Sequence, residues 1–569
     1  MAERESRFGG SAKYEPGEIL GECERILAAH EALPRCVSIE PRHTESQTAD
    51  LRIRFGDRGW LSSPGGEGLI AAFEEHPAIA GVERKRADLL LRFTDEALLK
   101  LEERLGEGEA AGMGTADLLA GKPHHVSLVG PNANKALHLG HLRNVALGHA
   151  LASGLTAAGA PVHTRSLVAD MGRRTCEAMS GYLDAYEGQS PESLGVSGDR
   201  FVELCSRAFQ GEAGRRRPST GPNAQEEEVT GDKADELMAA WLRGDASEQE
   251  LWRRMRGWVL EGHERTLARL GVRIDEYDFE SEDIPRALDL VALGLELDLF
   301  EQEESGAVVY RSGRGEYETM VLLNAEGTPT ECARVLAVCH RIVDELDPEV
   351  TFVEVLGDEW RPAQTVVGDV LARLLPSHAD KHYEWIYYGL VTTDGQKMGS
   401  SNGEVVWIDD FLDRLAAGPA VAALEEIGGG AVSREELADL LARATFLCAP
   451  MAQLLPLDVE GLFEEQAGAA WTIAEAWARA AAAAAGRPQA SGANRAGAML
   501  SQQFRPALRE ALERRDPVIL AGYLQRLSEA FLDAPAMGPA ARPVLERVLA
   551  GLGFTAATRQ PSNQPLIEA

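Results

Sequence analysis

The stretch Val126-Ser127-Leu128-Val129-Gly130-Pro131-Asn132-Ala133-Asn134-Lys135-Ala136-Leu137-His138-Leu139-Gly140-His141-Leu142-Arg143-Asn144 decides how the chain is read. A short apolar run predicts a buried strand, and Gly130-Pro131-Asn132 predicts the turn that ends it. Helical spacing follows, with Leu147, Leu151 and Leu155 on one face before Gly159 and Pro161 close the helix, and a second strand is expected at Val162 to Val168. Strand, turn, helix and strand form a βαβ unit and therefore a parallel sheet. His138 and His141 flank Gly140 at the start of the helix. Unpaired helix N-terminal amides and the positive end of the helix dipole favour phosphate there. A glycine lets a nucleotide approach the backbone, and imidazoles can donate to phosphate oxygens as charge develops.

Working outward, further strands are expected at Val308 to Tyr310, Met320 to Leu323, Thr351 to Leu356 and Ile386 to Val391. Upstream, a helix over Ile19 to Glu31, strands at Ala49 to Phe55 and Ala87 to Phe93, and a helix over Asp95 to Leu105 read as a small α+β domain. Small residues from Gly106 to Gly121 mark its boundary. Beyond Ala416 strong helix formers dominate, including Ala480 through Ala485, with breaks at Gly428-Gly429-Gly430 and at Gly486 to Gly492. The expected fold class is α/β, with domains over 1–120 (α+β), 121–415 (Rossmann-like) and 416–569 (all helical). Gly211 to Asp235, with its arginine triplet and Glu226-Glu227-Glu228, is expected as a flexible surface loop, and Thr558 to Ala569 as a loose tail.

Composition narrows the function. In 569 residues, 44% are hydrophobic and 26% charged, as in soluble globular proteins. The charged opening residues do not read as a secretory signal, so the cytoplasm is the expected location, without a membrane partner. Ninety acidic against 57 basic residues give a formal charge of -33, which repels phosphate backbones on average and excludes a generic nucleic-acid coat protein. A local basic track is still compatible with that balance. Seven cysteines without a Cys-x-x-Cys pair indicate neither a disulfide framework nor a cysteine-rich zinc site, so buried free thiols are expected.

A second loop completes the nucleotide chemistry: Val391-Thr392-Thr393-Asp394-Gly395-Gln396-Lys397-Met398-Gly399-Ser400-Ser401-Asn402-Gly403, rich in glycine and hydroxyl groups around one lysine. Together the two stretches resemble the class I aminoacyl-tRNA synthetases, whose signatures read His-Ile-Gly-His and Lys-Met-Ser-Lys-Ser. The chain looks most like arginyl-tRNA synthetases, whose Pro-Asn-x-x-Lys-x-x-His-x-Gly-His-Leu-Arg pattern is met from Pro131 to Arg143. Further likenesses are Ala169 to Arg174, Tyr277 to Ser281, Glu326 to Thr330 and Val405 to Leu412. The N-terminal region resembles the family's tRNA-elbow domain, and Asp516 to Phe531 a helix of its anticodon-binding domain.

The resemblance implies attack of an amino-acid carboxylate on the α-phosphorus of ATP, giving an aminoacyl adenylate and pyrophosphate, with Mg2+ travelling on the ATP and no protein metal cage. His138, His141, Lys135 and Lys397 would be catalytic. Gly140, Met398, Ser400 and Ser401 would join both histidines in binding ATP, and Asn132 would hold the α-amino acid end of the substrate. The implied partners are arginine or another cationic or polar amino acid and tRNA, and a monomer is expected.

Two departures stand out. Gly399 and Ser400 replace the serine and second lysine of the second signature. Some arginyl enzymes instead carry a lysine three residues before the first signature histidine, where Lys135 stands, so Lys135 is read as the compensating cation. Where the family has Thr-Tyr-x-x-x-Asp, a pair that holds the guanidinium, this chain has Thr330-Glu331-Cys332-Ala333-Arg334-Val335. Glu331 and Val335 take the places of the pair, and Glu280, at another guanidinium-side position, together with Glu331 is expected to supply the carboxylates. Three readings follow: a synthetase-like paralog that activates an amino acid for a specialised role, a genuine arginyl-tRNA synthetase, or a non-catalytic tRNA-binding relative. Retention of His138, Gly140, His141, Asn132, Lys135 and Lys397 argues against the third, and loss of the Tyr/Asp pair favours the first over the second.

Overall fold

A computed structural model describes residues 19–41, 49–106, 115–213, 233–312, 319–375, 380–393, 396–397, 405–464, 466–485, 494–534 and 540–554. Four antiparallel strands open the chain: β1 (Cys36–Pro41), β2 (Leu51–Phe55), β3 (Ile79–Lys85) and β4 (Asp88–Phe93), in the order β1-β2-β4-β3. Helices Ile19–Ala29 and Pro64–Glu74 bury Leu20, Leu27, Leu69 and Phe73 with this sheet's Ile53, Leu89 and Leu91. The expected α+β domain is therefore present, with β1 and β3 as additional edge strands.

The central sheet consists of five parallel strands: β5 (His124–Val129), β6 (Val162–Val168), β7 (Glu276–Phe279), β11 (Thr351–Gly357) and β12 (His382–Tyr388), ordered β12-β11-β5-β6-β7. Short strands β8 (Glu301–Gln302), β9 (Val308–Arg311) and β10 (Thr319–Leu323) form a separate antiparallel sheet. The run expected as one strand to Val391 divides: β12 stops at Tyr388, and β13 (Val391–Thr393) pairs with β14 (Gln396–Lys397) and β15 (Leu455–Pro456). The order reverses at β5, with β6 on one side and β11 on the other, and ligands of open α/β sheets bind beyond the carboxyl ends of strands at such a point.

Helix Leu139–Ala157 follows β5, and its buried residues lie on nearly every face because C-terminal helices cover the side turned away from the sheet. Its approach to the sheet depends on Gly148, where an added Cβ would lie 3.0 Å from the Leu128 backbone. Between β6 and β7 stands a helical insertion with its own core: Arg173–Gly181, Gly198–Ala213, Lys233–Arg243 and Ala246–Arg269 pack Met179, Phe201, Trp252 and Met255. Most of the loop expected at Gly211 to Asp235 lies outside the described residues, as does the expected tail.

From Pro419 to Gly551 the described residues are almost entirely helical. Their core is continuous with those of the five-stranded parallel sheet and the N-terminal sheet. Arg495 bridges the ends of the chain, donating to Asp50 at 2.7 Å and to the Phe93 carbonyl at 2.6 Å. All seven cysteines are free, four of them buried. Among the described residues no helix is long and apolar enough to cross a membrane.

Candidate active site

The site is built from residues just past the carboxyl ends of β5, β6 and β7. His138 caps the helix in extended conformation, and its Nδ1 accepts from the Gly140 amide at 3.1 Å. His141 Nδ1 accepts from the His138 amide at 3.1 Å, and the two rings stack at 3.9 Å. Burial, reinforced by nearby Lys135, pushes His138 down to about 3; burial and the neighbouring His138 hold His141 well below the usual histidine range. Both imidazoles are therefore neutral at pH 7. Because each Nδ1 accepts a backbone N–H, each Nε2 carries the proton and is a donor. Gly140 has a reason beyond access for a nucleotide: an added Cβ would meet Cε1 of His138 at 2.9 Å.

Asn132 and Lys135 line a cleft of about 910 Å³, together with Arg174 and Arg207 of the insertion and Trp407 and Arg414 beyond the second signature. Asn132 is exposed in this cleft, while its backbone bridges Ala169 beyond β6. Burial lowers the Lys135 ammonium, with Glu203 opposing the shift, and the Lys135 carbonyl accepts from His263 Nε2 at 2.8 Å. The stretch beyond the second signature is joined to the first signature by backbone: Leu139 N–H donates to Val406 O at 3.1 Å and Ile408 N–H to Leu137 O at 3.0 Å. The Lys397 backbone pairs opposite Thr392 in the β13–β14 hairpin. Met398, Gly399, Ser400 and Ser401 lie outside the described residues.

Where the sequence predicts a free pair of carboxylates, Glu280 and Glu331, the structure departs. Glu280 follows β7 and is buried, but it is already engaged: Arg334 Nε donates to its Oε2 at 2.8 Å, and Arg334 Nη1 donates to the Pro329 carbonyl at 2.9 Å. Burial outweighs this partner and pushes the Glu280 carboxyl up to about 7. Glu331 is exposed in the first turn of helix Glu331–Glu345, and Val335 is buried one turn on. Asp170 ties β6 to β7, accepting from the Ser281 amide at 2.9 Å and its hydroxyl at 2.7 Å.

Sequence reasoning missed three structural roles. Arg143 is fully buried in the signature helix and donates to the carbonyls of Gly389, Pro450, Met451 and Gln453 at 2.6–3.3 Å. Asn144 donates to Val355 O at 2.8 Å, fixing the helix to β11. The third is Arg334. An arginine inside an apolar helical pattern was a signal for the first, but nothing local marks the partner of the last.

A family model described as "tRNA synthetases class I (R), catalytic domain" matches residues 122–436. The arginine--tRNA ligase of Treponema denticola is 30% identical over 451 residues, covering 74% of each chain. The chain belongs to the class I arginyl-tRNA synthetase family. It is thus an ATP-dependent ligase of the aminoacyl-tRNA synthetase type. The Amoebophilus asiaticus arginine--tRNA ligase is 32% identical over 318 residues, 54% of this synthetase and 53% of that one. Among solved structures, the arginyl-tRNA synthetases of Thermus thermophilus (TM-score 0.57, 20% identity, 94% of this chain and 98% of that one) and Plasmodium falciparum (0.62, 11%, 96% and 98%) share the synthetase's fold. The Rossmann-like catalytic domain, the N-terminal α+β domain and the helical C-terminus of the sequence reading stand.

Proposed function

We propose that the chain activates an amino acid with ATP and passes it to tRNA, in a specialised role and as a monomer. The observation that carries this reading is the clustering of the first signature: His138, His141 and Lys135 stand at one helix start, and Val406, beyond the second signature, is hydrogen-bonded beside them. A substrate carboxylate oxygen attacks the α-phosphorus, the bond to the bridging oxygen breaks, and pyrophosphate leaves. Negative charge builds on the phosphoryl oxygens, where neutral Nε2–H donors and the Lys135 and Lys397 ammonium groups lower the barrier. Met398, Ser400 and Ser401 complete the ATP site, and Asn132 orients the α-amino acid end. No group of three or more His, Cys, Asp or Glu able to hold a metal occurs among the described residues, and Mg2+ belongs to this reading as the ion carried by ATP phosphates.

The specialised role rests on the amino-acid side, where Val335 offers no charge and Glu280 acts through Arg334, with Glu331 at the rim. A second reading, charging of tRNA with arginine, is favoured by the names of the relatives. It requires Arg334 to leave Glu280 when substrate enters. Amino-acid-dependent ATP–pyrophosphate exchange across an amino-acid panel, with and without total tRNA, tests the proposal. Exchange with at least one amino acid is expected, and none under either condition contradicts it.

A further inference from the structure

The helical insertion between β6 and β7 reaches the first signature at the turn that carries Lys135. Ser206 of helix Gly198–Ala213 donates through Oγ to the Asn134 carbonyl at 3.3 Å, and His263 Nε2 of helix Ala246–Arg269 donates to the Lys135 carbonyl at 2.8 Å. Two helices of the insertion thus hold successive carbonyls of this turn. Glu203 lies one turn before Ser206 on the same face of its helix and lines the same cleft as Lys135.

Glu203 is buried, with 7% of the residue accessible, and its two carboxylate oxygens are used unequally. Oε1 accepts from Arg207 Nη2 at 2.7 Å and from Arg207 Nε at 3.2 Å, whereas Oε2 is buried and accepts no hydrogen bond among the described residues. The carboxylate faces the Ala136 amide, beside Lys135, without a hydrogen bond closing between them. A buried acceptor left open is costly unless a donor reaches it. Lys135 brings an ammonium to the same cleft that makes no hydrogen bond among the described residues.

The other charges around Lys135 are paired or neutral. Arg174 pairs with Glu177 at 3.1 Å on helix Arg173–Gly181. On helix Ile408–Ala417, Asp410 pairs with Arg200 at 2.5 Å and Arg414 with Glu460 at 2.9 Å. His138 and His141 are neutral, and burial holds His263 below the usual histidine range. Burial lowers the Lys135 ammonium and Arg174 adds to that effect, so Glu203 is the group that opposes loss of its proton.

We infer that Glu203 is a positioning residue: from the helical insertion it holds the Lys135 ammonium, charged and turned into the cleft, ready for the phosphates of ATP. This rests on the proposed role of Lys135 as the cation at those phosphates.

The test is isothermal titration of the full chain with ATP and Mg2+ from about pH 7 to about pH 10, for the parent, Glu203→Gln, Arg207→Gln, Lys135→Ala and the Lys135→Ala, Glu203→Gln double variant. Affinity should fall at alkaline pH as Lys135 loses its proton. Without the carboxylate the ammonium gives up its proton more readily, so in Glu203→Gln the fall should begin about one pH unit lower. Arg207 competes with Lys135 for Glu203, and its side chain is 59% exposed, so Arg207→Gln keeps the fold and should move the fall to higher pH. In the Lys135→Ala background Glu203→Gln should move nothing. The position of the fall is the readout, and not the affinity at neutral pH, because a carboxylate beside the phosphates also repels them. A merely structural Glu203 would weaken binding at every pH and in both backgrounds. If Glu203→Gln does not fold, the upward shift in Arg207→Gln carries the test. A fall at the parent's pH in the variants that fold overturns the inference and leaves the ATP site standing, as does a shift that persists in the Lys135→Ala background. Affinity unchanged at every pH in Lys135→Ala overturns the role of Lys135 and this inference with it, and absence of binding by the parent overturns the ATP site as a whole.

Discussion

A methyl group on Gly140 would lie 2.9 Å from Cε1 of His138, closer than a Cβ tolerates, so the glycine leaves the imidazole room to sit where its Nδ1 accepts from the Gly140 amide at 3.1 Å. Gly140→Ala should therefore weaken ATP binding about tenfold by tilting that donor. Alanine is the better helix former, so stability should change by no more than about 1 kcal/mol. Calorimetric titration with ATP alongside thermal unfolding separates the two effects, and unchanged ATP affinity would show that the ring adapts freely.

We propose that Lys135 supplies the cation that the family's second signature carries where Ser400 stands here. Its alanine variant should slow adenylation by on the order of 100-fold, the usual cost of one lost transition-state donor. Single-turnover pyrophosphate release, compared for Lys135→Ala and Lys397→Ala, checks this. A rate within a few-fold of the parent for the first and an abolished rate for the second would remove Lys135 from the mechanism.

Arg143 saturates four carbonyls that converge from Gly389 and from the Pro450 to Gln453 turn. Lysine has one ammonium in place of a planar fork and cannot span them. Arg143→Lys should destabilise the chain by about 2–4 kcal/mol, through buried acceptors left unpaired. A fall in Tm reports the loss, and an unchanged Tm would mean that water satisfies these carbonyls.

Glu354 gives a pH signature. It is buried in β11, accepts from Tyr383 Oη at 2.9 Å and Trp385 Nε1 at 3.0 Å, and burial pushes its carboxyl up from 4.5 to about 7. Between those values the folded chain binds more protons than the unfolded one, so the contribution to stability is fully present below the unfolded value and is lost as pH rises through 7. Glu354→Gln should match the parent near pH 5 and exceed it near pH 8 by about 1–3 kcal/mol. Denaturation curves at the two pH values measure the difference, and an equal effect at both would place the ionised carboxylate in a better-solvated setting.

The parts legible in the sequence were those written in local periodicity. β5, helix Leu139–Ala157 and β6 follow from an apolar run, a Gly-Pro turn and helical spacing, and the histidines fall at the helix start because the turn fixes where the helix begins. Edge strand β3 escaped because exposed Glu83, Arg84 and Lys85 on an antiparallel edge give no alternating pattern. The end of β12 escaped because an apolar run through Val391 continues past the point where the chain leaves the sheet. Arg143 stands in the quoted motif, but its partners lie 246 to 310 residues away. Arg334 and Glu280 are 54 residues apart, and only the packing of the Glu331–Glu345 helix against the end of β7 brings them together.

ATP is proposed to bind where the neutral imidazoles of His138 and His141 and the ammonium of Lys135 meet at the start of helix Leu139–Ala157. Isothermal titration of the full chain with ATP and Mg2+, set beside the His138→Ala, His141→Ala double variant, tests it most directly. Saturable binding by the parent is expected, with a loss of at least about tenfold in the variant and unchanged circular dichroism. No binding by the parent, or equal affinity in the two proteins, would contradict it.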